Sequence, residues 1–458
     1  MRAFPFAGHR WRPIRRSHCA YLLLMAVLLA TACAPSLTST PSSSSRQLPA
    51  GVWEPVTLPA RPSDIQSIAV SPTDPSTMLA CTTHRPISAQ GTWTPGVVLW
   101  RTTDAGAHWK LYPSVPGSGT ECHFSIAPDD PRRVAFQVTR AVRGTSPCAD
   151  DTVLLSDDGG ANWRQLPAHA SIAPSDVVSG WCDLYATRQH LFLVYNFLPS
   201  SPSPVVHQMS LLERSDDNGV TWTRADSGLG DSALFTMPAI GRGASLAMTV
   251  VHMSAQPLAP ATTELWTSVD AGQTWRGTST LPDGAGTFLL ASVPASGHAW
   301  PSPDRPFYAL EQEQIPSDLY QERVLVSGDA HAWTLLPPLP VPGASAERPG
   351  ILQALAVLPD GRLAVWGPDP HLGVPASSAI QEPMSAFWLW LWDPTAKHWQ
   401  ALPSPLDASA PEACGLCWQA GSATSRDGAV SLYVSYLDFG PLTNTPPGAF
   451  RVTLPQST

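Results

Sequence analysis

Two cysteines near the end of the chain have a spacing that can do chemistry. Cys414 and Cys417 are separated by Gly415 and Leu416, and this Cys-x-x-Cys spacing occurs in redox-active thiols and in half of a zinc site. Such a zinc site requires a second ligand pair, and a redox pair requires a thioredoxin-like βαβ context. The sequence shows neither. The spacing therefore favours a local structural disulfide.

The histidines give no metal-binding pattern. Those in the body of the chain that could act as ligands are dispersed, and include His84, His169, His207 and His371. No HxH or HExxH spacing occurs, and there is no phosphate-binding glycine loop and no Gly-x-Ser-x-Gly nucleophile elbow. We therefore expect neither a metal nor a cofactor.

Tryptophan recurs through the chain at intervals of 53 to 66 residues. The recurring residues are Trp53, Trp109, Trp163, Trp222, Trp275, Trp333 and Trp399. Periods of about 50 residues without long helical patterns are typical of a β-propeller, in which four-stranded antiparallel sheets surround one axis and bury their faces against their neighbours. The repeat predicts an all-β, seven-bladed β-propeller, or a six-bladed one if Trp53 belongs to a preceding linker.

Four of these tryptophans end the same short motif, Ser/Thr-x-Asp-x-Gly-x-x-Trp. The Asp can accept hydrogen bonds from backbone N–H groups of a tight turn, the Gly supplies a positive φ, and the Trp packs where the next strand begins. We name these motifs the Asp-x-Gly turns. Their residues are Asp104, Gly106, Trp109, Asp158, Gly160, Trp163, Asp217, Gly219, Trp222, Asp270, Gly272 and Trp275.

The four motifs resemble the Asp-box, or BNR repeat, of sialidases, sortilin-type receptors and photosystem-assembly propellers. Two further copies are degraded. Asp329 precedes Trp333 by one residue too few and has His331 where Gly is expected, and Asp393 precedes Trp399 by one residue too many. In these families the box lies between the third and fourth strands of a blade, away from the active centre. The resemblance thus implies a structural role for the aspartates.

The resemblance to sialidases also implies a catalytic constellation: three arginines that clamp a carboxylate, a Tyr nucleophile activated by a Glu, and an Asp acid/base. Candidates in or near the loops expected to bind ligand are Arg85, Arg140, Arg143, Glu311, Glu313, Tyr195 and Tyr436. The Arg-x-Pro segment, preceded by Phe or Tyr, that supplies the first sialidase arginine is absent from residues 33–458. We therefore favour a binding or scaffold module for a glycan or protein ligand. The alternative is an exo-acting glycosidase of sialidase type.

Strands from the two ends of the chain are expected to meet. The last repeat supplies only three strands, and residues 53–58 (WEPVTL) are similar to the segments that follow the other turns. A strand in residues 53–58, paired with residues 449–454, supplies the fourth strand of the last blade. It also closes the ring and removes exposed strand edges.

The first 32 residues are expected to be a lipoprotein signal peptide. Five arginines precede an apolar run at residues 20–30 that is too short to span a bilayer. The small residues before Cys33 are similar to a bacterial lipobox, so Cys33 is the expected lipidated N-terminus, with ordinary cleavage near Ala32 as the alternative. Residues 33–50 are a Ser/Thr/Pro-rich tether and residues 51–458 the propeller. We expect an exported protein anchored to a membrane by lipid at the cell surface.

The charge of the exported chain is strongly negative. Loss of residues 1–32 removes five of the 27 basic residues and no carboxylate, which leaves 22 basic against 36 acidic residues. Phosphate binding requires clustered cations, so a nucleic-acid partner is not expected.

The cysteines beyond Cys33 are even in number, which predicts disulfides in an exported chain. They are Cys81, Cys122, Cys148, Cys182, Cys414 and Cys417. Sequence does not fix their pairing. Cys148 with Cys182, and Cys414 with Cys417, are attractive pairs because the partners fall on nearby predicted loops.

Overall fold

The computed structural model describes strands and turns that all lie in the unit Leu48–Thr458. The described residues are 53–60, 65–86, 93–112, 115, 121–139, 151–167, 177–199, 209–229, 233–235, 239–240, 245–252, 262–281, 289–291, 306–315, 319–340, 355–358, 360–368, 387–402, 418–424, 430–436 and 448–454. Every secondary-structure element among them is a β-strand, which confirms the all-β prediction. No helix in this part of the chain is long and apolar enough to cross a membrane.

The described strands form seven antiparallel sheets, each built from strands that follow one another in the chain, apart from the first strand, β1 (Trp53–Val56). Sheet 1 contains β2 (Ile65–Ser71), β3 (Asp74–Pro86), β4 (Trp93–Thr102) and β5 (Lys110–Leu111). Sheet 2 contains β6 (Glu121–Ile126), β7 (Val134–Thr139), β8 (Thr152–Ser156) and β9 (Arg164–Gln165). Sheet 3 contains β10 (Val177–Ala186), β11 (Leu191–Pro199), β12 (Met209–Ser215) and β13 (Thr223–Arg224).

Sheet 4 has five strands, because two short ones share an edge of β16. They are β14 (Ala233–Phe235), β15 (Ala239–Ile240), β16 (Leu246–His252), β17 (Thr262–Ser268) and β18 (Arg276–Thr280). Sheet 5 contains β19 (Leu289–Ala291), β20 (Phe307–Ile315), β21 (Leu319–Ser327) and β22 (Thr334–Leu335). Sheet 6 contains β23 (Leu355–Val357), β24 (Leu363–Pro368), β25 (Phe387–Asp393) and β26 (His398–Leu402). Sheet 7 contains β27 (Trp418–Thr424), β28 (Val430–Tyr436) and β29 (Gly448–Thr453), together with β1.

The strands β7 and β16 each lie second from the edge of their sheets, and both are covered on both faces. Every residue of β7 except Thr139 is buried, and so is every residue of β16 except His252. The two strands read VAFQVT and LAMTVVH, nearly continuous apolar runs that require apolar cover on both sides. The sheets therefore stack face to face.

Apolar clusters join each sheet to the next one in the chain. Leu155 of sheet 2 packs with Leu191 and Tyr195 of sheet 3, and Phe192 of sheet 3 packs with Met248 of sheet 4. Comparable clusters join sheets 1 and 2, 4 and 5, 5 and 6, and 6 and 7. Successive four-stranded sheets packed in this way are the organisation of a β-propeller.

The N-terminal strand belongs to the last sheet. β1 runs antiparallel to β29, with Trp53 opposite Val452, and Glu54 forms an ion pair with Arg451. As a result, β27, β28 and β29 gain a fourth strand from the other end of the chain.

A disulfide bond joins sheets 1 and 2. Cys81 of β3 is bonded to Cys122 of β6, with Cα atoms 6.4 Å apart, and both residues are buried. Cys182 is also disulfide-bonded, whereas Cys148, Cys414 and Cys417 lie outside the described residues. Disulfides form and persist in oxidising compartments, which points to maturation outside a reducing cytosol.

Candidate functional site

The four Asp-x-Gly turns connect the third and fourth strands of sheets 1 to 4. In each turn the Ser or Thr hydroxyl accepts the Gly N–H at 2.7–3.1 Å and donates to Asp Oδ1. The same Oδ1 accepts the backbone N–H of the residue four positions later, at 2.8 Å in every turn. The turns are therefore four copies of one hydrogen-bonded structure.

A further side chain completes each turn, and sequence reasoning did not assign it a role. It lies four residues after the Asp and bonds Oδ2 at 2.6–2.7 Å. The residues are His108, Asn162, Thr221 and Thr274. The sequence signal for this role is that the residue four positions after the Asp is polar in all four motifs. Both carboxylate oxygens are thus engaged inside the turn.

Two of the turns also form hydrogen bonds with residues outside their own sheets. Trp109 donates its indole N–H to the carbonyl oxygen of Thr57 at 2.8 Å, and Trp275 donates to that of Ala225 at 2.6 Å. Gly106 has φ +91°, and a Cβ there would lie 2.9 Å from the Thr57 oxygen. These two turns consequently fasten neighbouring sheets together.

The two degraded motifs still form turns in sheets 5 and 6. Oδ1 of Asp329 accepts the backbone N–H groups of His331 and Ala332, each at 2.8 Å. Oδ1 of Asp393 accepts that of Thr395 at 2.8 Å. The carboxylate organises the turn even where the glycine is missing.

The carboxyl groups of the turn aspartates have lowered pKa values in the folded protein. The backbone N–H of His108 lowers the pKa of Asp104 to about 2, and the Thr221 hydroxyl lowers the pKa of Asp217 to about 2. Because the folded pKa lies below the ordinary value of 3.8, each carboxylate stabilises the fold fully above pH 3.8, and this contribution is lost as the pH falls through about 2.

We therefore expect the melting temperature of the domain to fall steeply between about pH 4 and pH 2. Replacing Asp217 by Asn should lower the melting temperature at neutral pH, because the amide replaces a charged acceptor. The variant should then lose less stability than the parent in the acid range. Calorimetry across this pH range measures both effects, and an acid slope as steep as the parent's would contradict the assignment.

A buried tyrosine–glutamate pair lies in the interface between sheets 2 and 3. Tyr195 of β11 donates its phenolic O–H to Oε2 of Glu213 in β12 at 2.8 Å, and the two residues are 0% and 3% exposed. The Tyr195 ring stacks on Phe197 with centroids 5.7 Å apart. Sequence reasoning identified Tyr195 as a candidate but missed Glu213, because the pair is made across strands 18 residues apart.

The surroundings keep this phenol protonated. Burial, followed by the negative charge of Glu213, raises the pKa of Tyr195 far above its usual range. A phenol nucleophile must give up its proton and reach the substrate. Tyr195 has no exposed surface, so the pair acts as a hydrogen bond of the protein interior.

Polar groups beside this pair are also bonded to one another. Gln137 donates to Asp151 Oδ2 at 2.8 Å and to the carbonyl oxygen of Cys182 at 3.2 Å, and its Oε1 accepts the Leu184 N–H at 3.0 Å. A cavity lined in part by Gln137, Asp151 and Trp222 has a volume of about 10 Å³, which is near the least that one water molecule requires. This cavity has no room for a sugar.

Three residues expected in loops lie instead in strands. Arg85 is part of β3, with its backbone opposite Thr94, and Glu311 is part of β20, opposite Arg323. Glu313 lies further along β20. β3 and β20 continue past the predicted ends because the strands that follow them, β4 and β21, are long enough to pair with them. This corrects the predicted loop positions.

The remaining sialidase candidates lie at the end of a strand or outside the described part of the chain. Tyr436 is the last residue of β28. Arg140 and Arg143 lie outside the described residues. Of the candidate residues, Tyr195 is the one whose described side chain meets a carboxylate.

Titratable groups also lie on the first strands of sheets 2 and 3. His123 Nε2 lies 4.0 Å from Glu121 Oε2 in β6, and this contact lowers the pKa of Glu121. Burial raises the pKa of Asp183 in β10. No group of three or more His, Cys, Asp or Glu side chains among the described residues is placed to hold a metal ion.

Comparison with known proteins gives similarity to solved structures alone. No protein-family model matches the chain, and no curated protein matches it. The chain is similar to YCF48 bound to D1 peptide, with 13% identity and a TM-score of 0.45 over 92% of this chain and 99% of that chain. It is similar to the Penicillium chrysogenum α-L-arabinanase complexed with arabinobiose, with 12% identity and a TM-score of 0.39 over 72% and 96%.

A third similar structure is the β-propeller domain of the Trilobed protease from Pyrococcus furiosus. It is 8% identical, with a TM-score of 0.44 over 85% of this chain and 95% of that chain. At such identities and TM-scores, what these three proteins bind or hydrolyse does not carry over to this chain.

Proposed function

We propose that the seven sheets are the blades of one closed, seven-bladed propeller of the BNR type. Pairing of β1 with β29 supports this proposal. So does packing across the junction of sheets 7 and 1, where Val56 and Tyr433 meet Met78. Tyr433 also donates its hydroxyl to the carbonyl oxygen of Pro75 at 2.9 Å. Closure in this way leaves no blade without a neighbour.

We further propose that this propeller is a binding or scaffold module for a glycan or protein ligand. The burial of Tyr195 and Glu213 carries this proposal, because the pair that could supply a nucleophile and its base is sealed between two sheets. The ligand is proposed to bind on the face that carries the longer loops, since loops on a rigid scaffold are the usual binding elements.

The module is proposed to be exported and held at the cell surface by lipid on Cys33. The disulfide between Cys81 and Cys122 supports an oxidising location. The anchor is tested by replacing Cys33 with Ala in the full chain. The expected result is release of the protein from the membrane fraction, and retention of the variant in that fraction would contradict lipid anchoring.

The enzyme alternative is an exo-acting glycosidase of sialidase type. A glycosidase needs one protonated and one ionised carboxyl group. Glu121 of β6 and Asp183 of β10 are its candidates, because the hydrogen bond from the Ala186 N–H to Ser125 Oγ holds these two strands together and the pKa values of the two carboxyl groups are shifted in opposite directions. Its reacting pair is then on β6 and β10 and does not involve Tyr195.

Hydrolysis of glycosides distinguishes the binding module from the glycosidase. Residues 50–458, purified without the leader, are incubated with fluorogenic glycosides that include a sialoside and an arabinofuranoside. We expect no release of the fluorophore. Release that disappears in both Glu121→Gln and Asp183→Asn, with the fold retained, would overturn the binding module and establish the glycosidase.

A further inference from the structure

His252, Glu264 and Trp266 form a hydrogen-bonded cluster at the surface of sheet 4. The indole N–H of Trp266 donates to Glu264 Oε2 at 2.9 Å, and His252 Nε2 lies 3.2 Å from the same oxygen. The histidine and glutamate side chains are each 32% exposed. Oε1 of Glu264 makes no hydrogen bond to the residues that the structure describes. The cluster is therefore held together internally and still presents an acceptor to a ligand.

The register of sheet 4 brings the three side chains to one face. His252, the last residue of β16, lies opposite Thr262 of β17. Glu264 and Trp266 follow Thr262 at intervals of two residues in the same strand. Side chains two apart in a strand, and those opposite each other in neighbouring strands, share a face of the sheet. Trp266 also packs against the apolar cluster between sheets 3 and 4, so the interior anchors its indole.

A glycine in the next strand leaves part of the indole uncovered. Gly277 of β18 lies opposite Trp266 and is exposed. A Cβ at this position would lie 3.4 Å from Cε2 and Cζ2 of the indole and 3.7 Å from Glu264 Oε2. A side chain at position 277 would therefore cover the six-membered ring beside the carboxylate.

The backbone does not require this glycine. The strand register shifts beside it, between Leu265 and Trp266, but the type of β-bulge that needs glycine has a left-handed φ. Gly277 is not among the glycines with a positive φ. A glycine within a strand that is not needed for the backbone is typical of a place where a ligand approaches closely.

This arrangement has the chemistry of a sugar-binding site. The indole offers a flat apolar surface, and the carboxylate and the imidazole lie beside it, with the imidazole and indole centroids 6.3 Å apart. A pyranose ring has a face of C–H groups that can lie on an indole and hydroxyl groups around its edge. A few placed polar groups beside an aromatic surface are usual in sites for small ligands.

The polar groups favour a neutral sugar over a charged ligand. The carboxylate of Glu264 repels an anionic sugar such as a sialoside. An organic cation also stacks on an indole. However, a hydroxyl group pairs with the imidazole of His252 in either protonation state, because it both donates and accepts, whereas a cation only donates.

We propose that His252, Glu264 and Trp266 form a subsite for one pyranose unit of a neutral glycan. The sugar ring stacks on the indole next to Gly277, and its hydroxyl groups bond to the carboxylate and the imidazole. The proposal rests on the proposed binding function and names the class of its ligand.

Simple glycosides test the subsite. The probes are methyl β-D-glucopyranoside, methyl β-D-galactopyranoside and methyl α-D-mannopyranoside, and saturation-transfer NMR titration with residues 50–458 measures their affinities. We expect at least one of them to bind, and Gly277→Ala to weaken that binding about tenfold, because the new methyl group occupies the indole surface. Glu264→Gln should weaken it several-fold through loss of the charged acceptor. Failure of all three to bind, or equal binding by Gly277→Ala, would overturn the subsite.

Stability distinguishes a glycine kept for a ligand from one kept for the fold. Gly277→Ala should keep or raise the melting temperature, because the Cβ makes ordinary contacts and alanine loses less backbone entropy than glycine on folding. A lower melting temperature would show that the fold needs the glycine and would overturn the proposal.

Arg276→Ala is the matched control. Arg276 is the exposed neighbour of Gly277 in β18, and adjacent residues in a strand point to opposite faces. This variant should bind the glycoside like the parent. A loss of binding as large as that in Gly277→Ala would place the sugar elsewhere and overturn the subsite.

The subsite and the binding module can fail separately. Glycoside binding that Gly277→Ala leaves unchanged overturns the subsite and leaves the binding module standing. Binding of tetramethylammonium that is lost in Gly277→Ala, with no binding of any glycoside, overturns the sugar and assigns the cluster to a cation. Glycoside turnover overturns the binding module whatever these variants do.

Discussion

Deleting residues 51–58 is expected to lower the melting temperature of the domain by roughly 10 °C or more. The deletion removes β1 and exposes the edge of β29 in sheet 7. It also removes Val56 from the cluster with Met78 and Tyr433, and takes away the carbonyl acceptor of Trp109 at Thr57. Thermal unfolding followed by circular dichroism measures the effect.

Complementation is the control for the deletion. A peptide of residues 50–60 added to the deleted protein should restore much of the lost melting temperature, because the edge of β29 is left ready to pair. A scrambled peptide should not restore it. A deleted protein that melts like the parent would contradict the closed ring.

Replacing Gly106 by Ala is expected to destabilise the domain by about 3 kcal/mol. Gly106 has φ +91°, which an L-residue adopts only with strain, and the new Cβ would meet the backbone oxygen of Thr57 at 2.9 Å. Because that oxygen belongs to the backbone, it cannot rotate away. Either the turn of sheet 1 or the segment after β1 must shift.

Gly159→Ala is the control that measures the cost of backbone strain without a steric contact. Gly159 has φ +71°, yet a Cβ there would meet nothing within 4 Å. This variant should cost about 1 kcal/mol, from the backbone strain alone. The difference between the two variants, measured by denaturant unfolding, reports the contact between sheets 1 and 7. Equal costs for the two substitutions would mean that the contact with Thr57 contributes nothing.

The sequence predicted the local parts of the fold well. Tryptophan spacing predicted successive four-stranded antiparallel sheets, and six of the seven described sheets have four strands. The information is local, because the turn at residues 215–222 needs one hydroxyl, one carboxylate, one glycine and the N–H groups between them. Alternating and continuous runs of apolar residues also predict strands, because these patterns too are local in the sequence.

The remaining features depend on partners distant in the chain. The end of β3 is set by its pairing with β4, so Arg85 could not be placed from its own neighbours. Glu213 meets Tyr195 through the register of β11 and β12. The bond from Cys81 to Cys122 follows from the packing of sheet 1 on sheet 2. Turn chemistry and periodicity carry no information on such cross-sheet contacts.

Ionisation of Tyr195 is the measurement that tests the proposed function most directly. The phenolate absorbance of the parent is recorded against pH, and that of Tyr195→Phe is subtracted. The raised pKa of Tyr195 predicts no difference signal below about pH 11, and none until the protein unfolds. A phenolate that forms near neutral pH would show an activated nucleophile at Tyr195 and contradict the binding module.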